Sequence, residues 1–513
     1  MDQETHLPAR NLQLVALIAF ALLVTFCGGT SNPNVLQDVI LRPLCALILV
    51  AALYGWRSGE AYTGRAVFVF LAAWAGWTFI QLVPLPQWAW QSLPGRTPIA
   101  ELDTALGLEG VWRPISWVPT RGWNALAGMI VPFTALALAV ILRGRSAVLL
   151  SLILGVALID ALMNFLQLAS QGQDTFYFYK PHPGKTDGVF SNENHSGVFS
   201  ALGLLITTRL LLMPKPKPQG WQNIAYGAAY LILFLSVLVG GSRAALVAGL
   251  GALLSTGVVL FLSLRNHRAP GAVARASAAG PQGSAQASLA TDDRLRWLFL
   301  IAGGLLFVGL ASLFFWLERS ASFDGILSRN TFEDLRWELA PVLLEMIQQN
   351  WLFGIGFGAF EEYYHIYEPT QLLLPLYINQ AHNDWGQLIL EGGLPAVAIA
   401  LGLAGWIGRK LLVLIKRGEA SFPIVVFWLS VLAILAAASL IDYPIRTPIF
   451  QFAIVWLLLV LEDDERSPAL QARRFAANAA DGRSDSRRSR GQRGGAGKTR
   501  GFEGGFKGEF KRR

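Results

Sequence analysis

Long apolar runs separated by short polar connections make up most of this chain. A helix needs about 17–22 apolar residues to cross a bilayer. The pattern therefore predicts about twelve membrane spans. Their approximate bounds are 11–27, 38–56, 66–84, 124–142, 147–169, 195–213, 222–240, 244–264, 295–316, 383–407, 422–441 and 447–461. The predicted fold class is all-α, in a polytopic membrane protein.

Positive charge alternates from one connection to the next, and this alternation predicts the orientation. Lysine and arginine favour the cytoplasmic side in short loops. The basic connections carry Arg57 and Arg65, Arg143 and Arg145, Arg209, Lys215 and Lys217, Arg265, Arg268 and Arg275, and Arg409, Lys410, Lys416 and Arg417. Twelve spans then place both termini in the cytoplasm. Three long segments, at about 85–123, 170–194 and 317–382, lie on the outer side, and the last is expected to contain helices.

The composition agrees with a membrane protein. Of the 513 residues, 53% are hydrophobic and 15% are charged, against about 25% charged residues in a soluble domain. Two cysteines, Cys27 and Cys45, exclude a disulfide framework. The first apolar run is not followed by an Ala-x-Ala cleavage pattern, so we expect an uncleaved span there.

The chain divides by composition into four regions. Residues 1–264 hold the first eight predicted spans, and 295–461 hold the last four with the outer loop 317–382. Between them, 265–294 is rich in Ala, Gly, Pro and Ser, which predicts a flexible cytoplasmic linker. The basic tail at 462–513 is expected to be disordered and attracted to anionic lipid headgroups. Nucleic-acid binding is the less favoured interpretation of this tail.

The segment that begins at His382 is the most informative in the chain. His382 and Asn383 open the tenth predicted span, and Glu391 and a glycine pair follow inside it. Polar groups are costly in a membrane helix, so each one suggests a function. His382 could cap the span, or it could act as a near-neutral base that takes a proton from a hydroxyl. Glu391 lies nine residues on, about 180° around an ideal helix, so it is expected to bond a neighbouring helix instead of orienting His382.

Two arginines on the outer side are candidate anion ligands. Arg243 lies in the very short turn between the seventh and eighth spans, against the topology rule. It could reach lipid phosphate at the interface, or its planar and permanently charged guanidinium could bind phosphate in a pocket. Arg336 lies in an amphipathic pattern at 331–346 that predicts a helix on the outer surface. The alternative for Arg336 is an ion pair with Glu333 or Glu338.

Other polar residues also fall near the outer ends of spans. They are Asn192, Asn194 and His195 at the sixth span, Asp442 and Arg446 between the eleventh and twelfth, and Arg42 in the second. Asp160 and Asn164, one turn apart in the fifth span, are expected to form hydrogen bonds between helices. The glycine-rich run at 354–358 has neither the preceding strand nor the following Lys-Ser/Thr of a phosphate loop, so it is interpreted as a turn that lets backbones pack closely.

The histidines do not predict a metal site. His182, His195, His365 and His382 lie in separate outer segments, without helical pairing or cysteine partners. A metal-independent mechanism without a cofactor is therefore expected.

Taken in order, these motifs resemble a known family. His382-Asn383 followed by Gly393 resembles the His-Asn/Ser/Gln…Gly signature of bacterial O-antigen ligases. Their relatives include O-antigen and exopolysaccharide polymerases and a protein O-oligosaccharyltransferase group. The stretch at 188–195 resembles the family's Gly-x-Phe-x-Asn-x-Asn-His, and the one at 241–243 its Ser-Arg segment. Arg336-Trp337, with the glycine turn at 354–356, resembles its large-loop Arg and Gly turn. The resemblance covers roughly 120–461.

The chain departs from the ligase signature after Gly393, where a second glycine is not at its expected spacing. The stretch 442–448 looks more like exopolysaccharide polymerases. The choice between ligase and polymerase therefore stays open.

The resemblance implies an inverting glycosyltransferase of the bacterial inner membrane whose active site faces the periplasm. The donor would be a glycan on undecaprenyl pyrophosphate. The acceptor would be a sugar hydroxyl, on lipid A-core for a ligase or on a second lipid-linked glycan for a polymerase. His382 would be the catalytic base, and Arg243 and Arg336 would bind the departing pyrophosphate. Second-tier substrate contacts would come from His195, Asn194, Asn383, Arg446 and Arg42.

A polysaccharide flippase or other secondary transporter is the alternative, because such proteins can also have twelve spans. Transporters place polar sites near the bilayer midplane, often with repeat symmetry. In this chain the candidate residues collect on one face and no repeat is apparent. A structural scaffold would leave the arginines and His382 without a role.

Overall fold

The computed structural model describes residues 6–32, 35–54, 64–142, 145–170, 176–179, 186–213, 220–267, 331–373, 378–418 and 421–466. Within these ranges the regular structure is helical, and β pairing is limited to one bridge between Leu85 and Arg113. The predicted all-α class is confirmed.

We number the helices of the described residues in chain order. They are α1 (His6–Cys27), α2 (Leu36–Tyr54), α3 (Arg65–Ile80), α4 (Gln87–Gln91), α5 (Thr97–Ala105), α6 (Pro119–Gly128), α7 (Ile130–Ile141), α8 (Ser146–Ala169), α9 (Glu193–Leu212), α10 (Gly220–Val239), α11 (Arg243–His267), α12 (Thr331–Asn350), α13 (Phe360–Tyr367), α14 (Asp384–Lys416), α15 (Phe422–Ile441) and α16 (448–466). Short 3-10 helices cover Thr370–Leu372 and Pro444–Arg446.

Many of these helices are long and apolar enough to cross a membrane. Within the described residues there are eight such stretches: Leu36–Tyr54, Pro119–Ile141, Ser146–Ala169, Glu193–Leu212, Gly220–Val239, Arg243–Ser263, Asp384–Lys416 and Phe422–Ile441. Gln13–Cys27 and Arg65–Ile80 are shorter apolar helices. The helices support a polytopic membrane protein, whereas the number twelve stays a prediction. The predicted span at 295–316 lies outside the described residues.

Four predicted spans differ by five residues or more at one end from the helices that the structure shows. The first begins earlier, at His6, and the twelfth continues to residue 466, into the tail that was expected to be disordered. The fourth begins earlier, at Pro119, and consists of α6 and α7 joined at Met129.

The tenth predicted span extends to Lys416 and takes in residues predicted to be in a basic loop. Lys410 is 4% exposed, and its ammonium lies 5.3 Å from the centre of the Trp406 ring. A long aliphatic stem and a cation–π contact let a charged residue extend a helix beyond its apolar run.

The chain forms two units, Met1–Glu462 and Asp463–Arg513. In the second unit, the described residues are 463–466, which end α16. In the first unit, helices from both sides of the predicted linker pack together, since α11 lies against both α9 and α15. The Ser430 hydroxyl of α15, for example, donates to Ser255 of α11 at 2.7 Å.

Helix α9 lies at the centre of this packing. It is surrounded by α8, α10, α11 and α15. In its most apolar stretch of 18 residues, 83% are buried inside the structure. Small residues allow the close approach, because a Cβ on Gly197 would lie 2.0 Å from the Cβ of Ala245. The first turn of this enclosed helix carries His195, which is therefore held in a fixed place.

Helix α14 is broken at Gly393, where φ is 61° and ψ is −162°. A helix break leaves backbone groups without partners, and lipid cannot supply new ones. Here residues 351–355, in the predicted outer loop, supply them. The Leu394 N–H donates to Trp351 O at 3.0 Å, and the Ile355 N–H donates to Leu390 O at 2.9 Å. The middle of the predicted outer loop is thereby joined to the helix by backbone hydrogen bonds.

The glycine run at 354–358 makes this contact possible. The Gly356 N–H donates to Glu391 O at 3.0 Å, and a Cβ on Gly354 would lie 2.3 Å from the same oxygen. The Gln81 amide, at the end of α3, also donates to Glu391 O at 2.9 Å. The prediction that this run lets backbones pack closely is confirmed.

Candidate active site

The ends of three helices, α9, α14 and α15, contribute residues to one polar cluster around Asp442. This residue directly follows α15 and is 2% exposed. Its Oδ2 accepts hydrogen bonds from the Asn192 and Asn194 amides at 3.0 and 2.6 Å. Its Oδ1 accepts the Tyr443 N–H at 3.0 Å. We call Asn192, Asn194, His195, His382, Asp442 and Tyr443 the Asp442 cluster.

Two imidazoles face the second oxygen of the same carboxylate. His382 Nδ1 lies 3.5 Å from Asp442 Oδ1, and His195 Nε2 lies 3.6 Å from it. The Tyr443 ring meets both imidazoles edge to face, with centroid distances of 5.1 Å to His195 and 5.0 Å to His382. Burial alone would raise the pKa of the Asp442 carboxyl, but the His195 and His382 imidazoles outweigh it and hold the pKa well below its usual range.

His382 has an unusual backbone. Among the described residues, His382 is the one non-glycine residue whose φ is positive. Its φ is 49°, in the left-handed region. Such a conformation costs about 1–3 kcal/mol and persists where the surrounding structure fixes it. The cap of α14 is Asn383, whose side-chain oxygen accepts the Gly386 N–H at 3.0 Å. The alternative in which His382 caps the helix is therefore wrong.

The two imidazoles differ in their access to a substrate. The His382 side chain is 19% exposed, whereas that of His195 is 1% exposed. His382 can therefore meet a hydroxyl group from outside, and its Nδ1 faces Asp442 while it does so. His195, predicted as a second-tier substrate contact, lies below the surface.

A second ionic group lies beside the cluster and centres on Arg446. Its Nε donates to Asp384 Oδ1 at 3.1 Å, and its Nη1 donates to Glu391 Oε2 at 2.9 Å. Burial would lower the pKa of Arg446, but Glu391 and Asp384 raise it above its ordinary value. Glu391 also accepts from Gln387 at 3.0 Å. The prediction that Glu391 bonds a neighbouring element, not His382, is confirmed.

Helix α8 fixes the turn that leads into His195. Asp160 Oδ1 accepts the Val189 N–H at 2.9 Å, and its Oδ2 accepts the Ser196 hydroxyl at 2.7 Å. Asn164 donates to the Ser196 hydroxyl at 2.7 Å. The interhelical role predicted for Asp160 and Asn164 is confirmed. At Gly188, with φ 62°, a Cβ would lie 1.9 Å from Asp160 Oδ1, so only glycine fits this turn.

Arg243 is the first residue of α11 instead of part of a turn. Ser242, just before it, accepts the Ala245 N–H at 3.0 Å and donates to the Asn194 side-chain oxygen at 2.5 Å. Since Asn194 in turn donates to Asp442, Arg243 begins its helix next to a chain of hydrogen bonds that reaches the carboxylate. The Arg243 residue is half-buried.

The remaining candidates lie elsewhere. Arg336 lies on α12, which confirms the predicted helix there, but its side chain is outside the described part of the structure. Arg42 forms an ion pair with Asp38 at 2.5 Å and donates to Asn124, so its described bonds do not go to the Asp442 cluster. His182 lies outside the described residues, and His365 is exposed on α13.

Asp442 is the residue whose role the sequence did not reveal. It was noted as a polar residue between two spans, but no part in the site was predicted for it. The signal is a carboxylate directly after an apolar run. Its partners lie up to 250 positions away, and local spacing does not indicate them.

Comparison with known proteins supports the predicted family. Residues 228–401 match the family model described as O-antigen ligase. The matched segment includes Arg243, Arg336 and His382. This match supports a role for the chain in the ligation or polymerisation of lipid-linked glycans in a membrane, as an enzyme of the glycosyltransferase type. No curated protein matches the chain significantly.

Proposed function

We propose that this chain, whose centre matches the O-antigen ligase family, transfers a glycan from undecaprenyl pyrophosphate to a sugar hydroxyl at the periplasmic face of the inner membrane. The reaction is inverting and metal-independent. The acceptor oxygen attacks the anomeric carbon of the donor, the bond from that carbon to the phosphate oxygen breaks, and the lipid pyrophosphate leaves. One proton must leave the acceptor hydroxyl, and one developing negative charge must be stabilised.

The observation that carries this proposal is the placement of His382 beside Asp442. The ring is partly exposed, and its Nδ1 lies 3.5 Å from a buried carboxylate. A proton on Nδ1 would face the carboxylate, leaving Nε2 as the acceptor for the hydroxyl proton. The imidazolium formed in this way is stabilised by the negative Asp442. The surrounding structure holds His382 in its positive-φ backbone conformation.

Two arginines are proposed to hold the pyrophosphate. Arg243 starts α11 next to Ser242, which is hydrogen-bonded to the Asp442 cluster through Asn194. Arg336 is on α12, whose buried Leu339 and Met346 belong to the same apolar core as Leu390 of α14. A guanidinium can make two parallel hydrogen bonds to phosphate and stays charged throughout the reaction.

Arg446 is not well suited to a direct substrate contact. Its guanidinium is already bound to Asp384 and Glu391. We propose that Arg446 supports the start of α14 and therefore the position of His382. Asn383 has a similar supporting role as the helix cap.

The test is reconstitution of the full chain in vesicles with a glycan on undecaprenyl pyrophosphate and EDTA present. Lipid A-core and a second lipid-linked glycan are offered as separate acceptors, which distinguishes ligase from polymerase. Transfer should be lost in His382→Ala and in Arg336→Ala, whereas His365→Gln, which changes an exposed histidine, should retain it. Full activity in both of the first two variants would overturn the site assignment. Donor that crosses the vesicle membrane without transfer would favour the flippase.

A further inference from the structure

We propose that His195 is a positioning residue, a second imidazole on Asp442 that sets how readily His382 accepts a proton. The inference rests on the proposed function and concerns the same site. His195 would act through Asp442 and not through contact with the substrate.

Both imidazoles approach the same oxygen. Asp442 Oδ1 lies 3.6 Å from His195 Nε2 and 3.5 Å from His382 Nδ1. The other oxygen, Oδ2, already accepts two amide hydrogen bonds, at 3.0 and 2.6 Å. The two imidazoles therefore share one oxygen. A proton on one ring reduces the stabilisation that the carboxylate gives to a proton on the other ring.

The burial of His195 points to the same role. Its side chain is 1% exposed, and within the described part of the chain neither ring nitrogen has a hydrogen-bond partner. Aromatic rings surround it, with centroids of Phe190 and Phe450 at 6.2 and 6.3 Å. Burial of a polar ring without hydrogen bonds is unfavourable, and an apolar residue would avoid that cost. An apolar residue at this position could not interact with the Asp442 carboxylate as His195 does.

The charged and titratable groups around His195 come from the two neighbouring helix ends. Asp442 and Tyr443 follow α15, and His382 and Asp384 lie at the start of α14. Asp384 interacts electrostatically with His195 and is itself paired with Arg446. Asp442 is thus the anion that lies against both imidazoles.

Coupling through Asp442 has a definite sign. A proton on His195 offsets the negative charge of Asp442 and so reduces the stabilisation that Asp442 gives to a protonated His382. A neutral His195 leaves the negative charge for His382 alone. Groups that interact in this way titrate as a pair. Removing the titratable ring of His195 should therefore keep His382 protonated to a higher pH, where it cannot act as a base.

The experiment measures kcat/KM for glycan transfer against pH in the full reconstituted chain. In His195→Gln the acid limb should move to higher pH by about one unit, because a competing positive charge has been removed. The rate above the limb should stay within a few-fold of that of the unmodified chain. The control is His365→Gln, whose acid limb should coincide with that of the unmodified chain. A purely structural role for His195 would lower the rate at every pH without moving the limb.

The outcomes separate the two proposals. An unmoved acid limb in His195→Gln overturns the inference, even if His382→Gln is inactive. Full activity in His382→Gln overturns the proposed site itself. Should His195→Gln not accumulate in a folded form, His195→Asn carries the same expectation. The unmodified chain also has only six histidines, so ¹⁵N NMR of the imidazoles is an independent measurement: two should titrate in a coupled manner, and independent titration of all of them overturns the inference.

Discussion

The buried carboxylate of Glu391 and the partly buried guanidinium of Arg446 form an ion pair at 2.9 Å. The carbonyl oxygen of the same Glu391 accepts the Gly356 N–H of the predicted outer loop at 3.0 Å. One residue of α14 thus joins the outer loop on one side and the connection after α15 on the other. Because His382 lies just before this helix and Asp442 is the first residue of this connection, the ion pair helps to fix the position of His382 relative to Asp442.

Replacement of Arg446 tests whether it supports the structure or binds substrate. Arg446→Ala leaves the carboxylates of Asp384 and Glu391 without their cation, and we expect a loss of about 3–5 kcal/mol in stability, as when one partner of a buried ion pair is removed. Thermal unfolding in detergent measures it. Adding Asp384→Asn and Glu391→Gln to this variant should recover part of the loss. Unchanged stability together with weaker donor binding would show instead that Arg446 contacts the substrate.

Gly393 is predicted to be irreplaceable, unlike another glycine of the same helix. In Gly393→Ala the φ of 61° is unfavourable, and the new Cβ would lie 2.6 Å from Gly354 N. We expect a loss of at least about 1–3 kcal/mol from backbone strain and a lower unfolding temperature. The matched control is Gly405→Ala, where the added Cβ has no atom within 4 Å. Equal unfolding temperatures for the two variants would contradict the observed helix break.

Asp442 should make the stability of the chain depend on acid pH. The pKa of its carboxyl in the folded chain is well below the usual value. The stabilisation is therefore complete above the ordinary carboxyl pKa, near 4, and is lost as pH falls through the lower folded value. Asp442→Asn should lack this contribution, so the gap between its unfolding temperature and that of the unmodified chain should narrow on acidification. A constant gap at every pH would contradict the prediction.

The positive φ of His382 should affect stability separately from activity. Glycine adopts a φ of 49° without strain and alanine does not, so His382→Gly is expected to unfold at a higher temperature than His382→Ala, although both lose the imidazole beside Asp442. The transfer rate of His382→Gly should fall by about 10²–10⁴-fold, the usual contribution of a general base. Both quantities can be measured on one reconstituted sample. A variant that is less stable and fully active would show that His382 has a structural role only.

The sequence predicted those features that depend on local pattern. The apolar runs correspond to helices, the glycine run at 354–358 forms a close backbone contact, and Asp160 bonds between helices as expected. The break at Gly393 was not predicted, because glycine is also tolerated in regular membrane helices. The partnership of Asp442 with Asn194 spans 248 positions, and no periodicity connects residues so far apart. Long-range pairing therefore had to come from the structure.

The break in α14 also limits how this protein can be recombined with its relatives. The amide groups released at Gly393 find partners in the backbone between Trp351 and Gly356, within an apolar stretch where water cannot replace them. A chimaera that takes the outer loop from another protein and keeps this helix would expose those amides to hydrocarbon. The loop segment at 351–356 and the helix break therefore have to be exchanged together, although 37 positions separate Gly393 from Gly356.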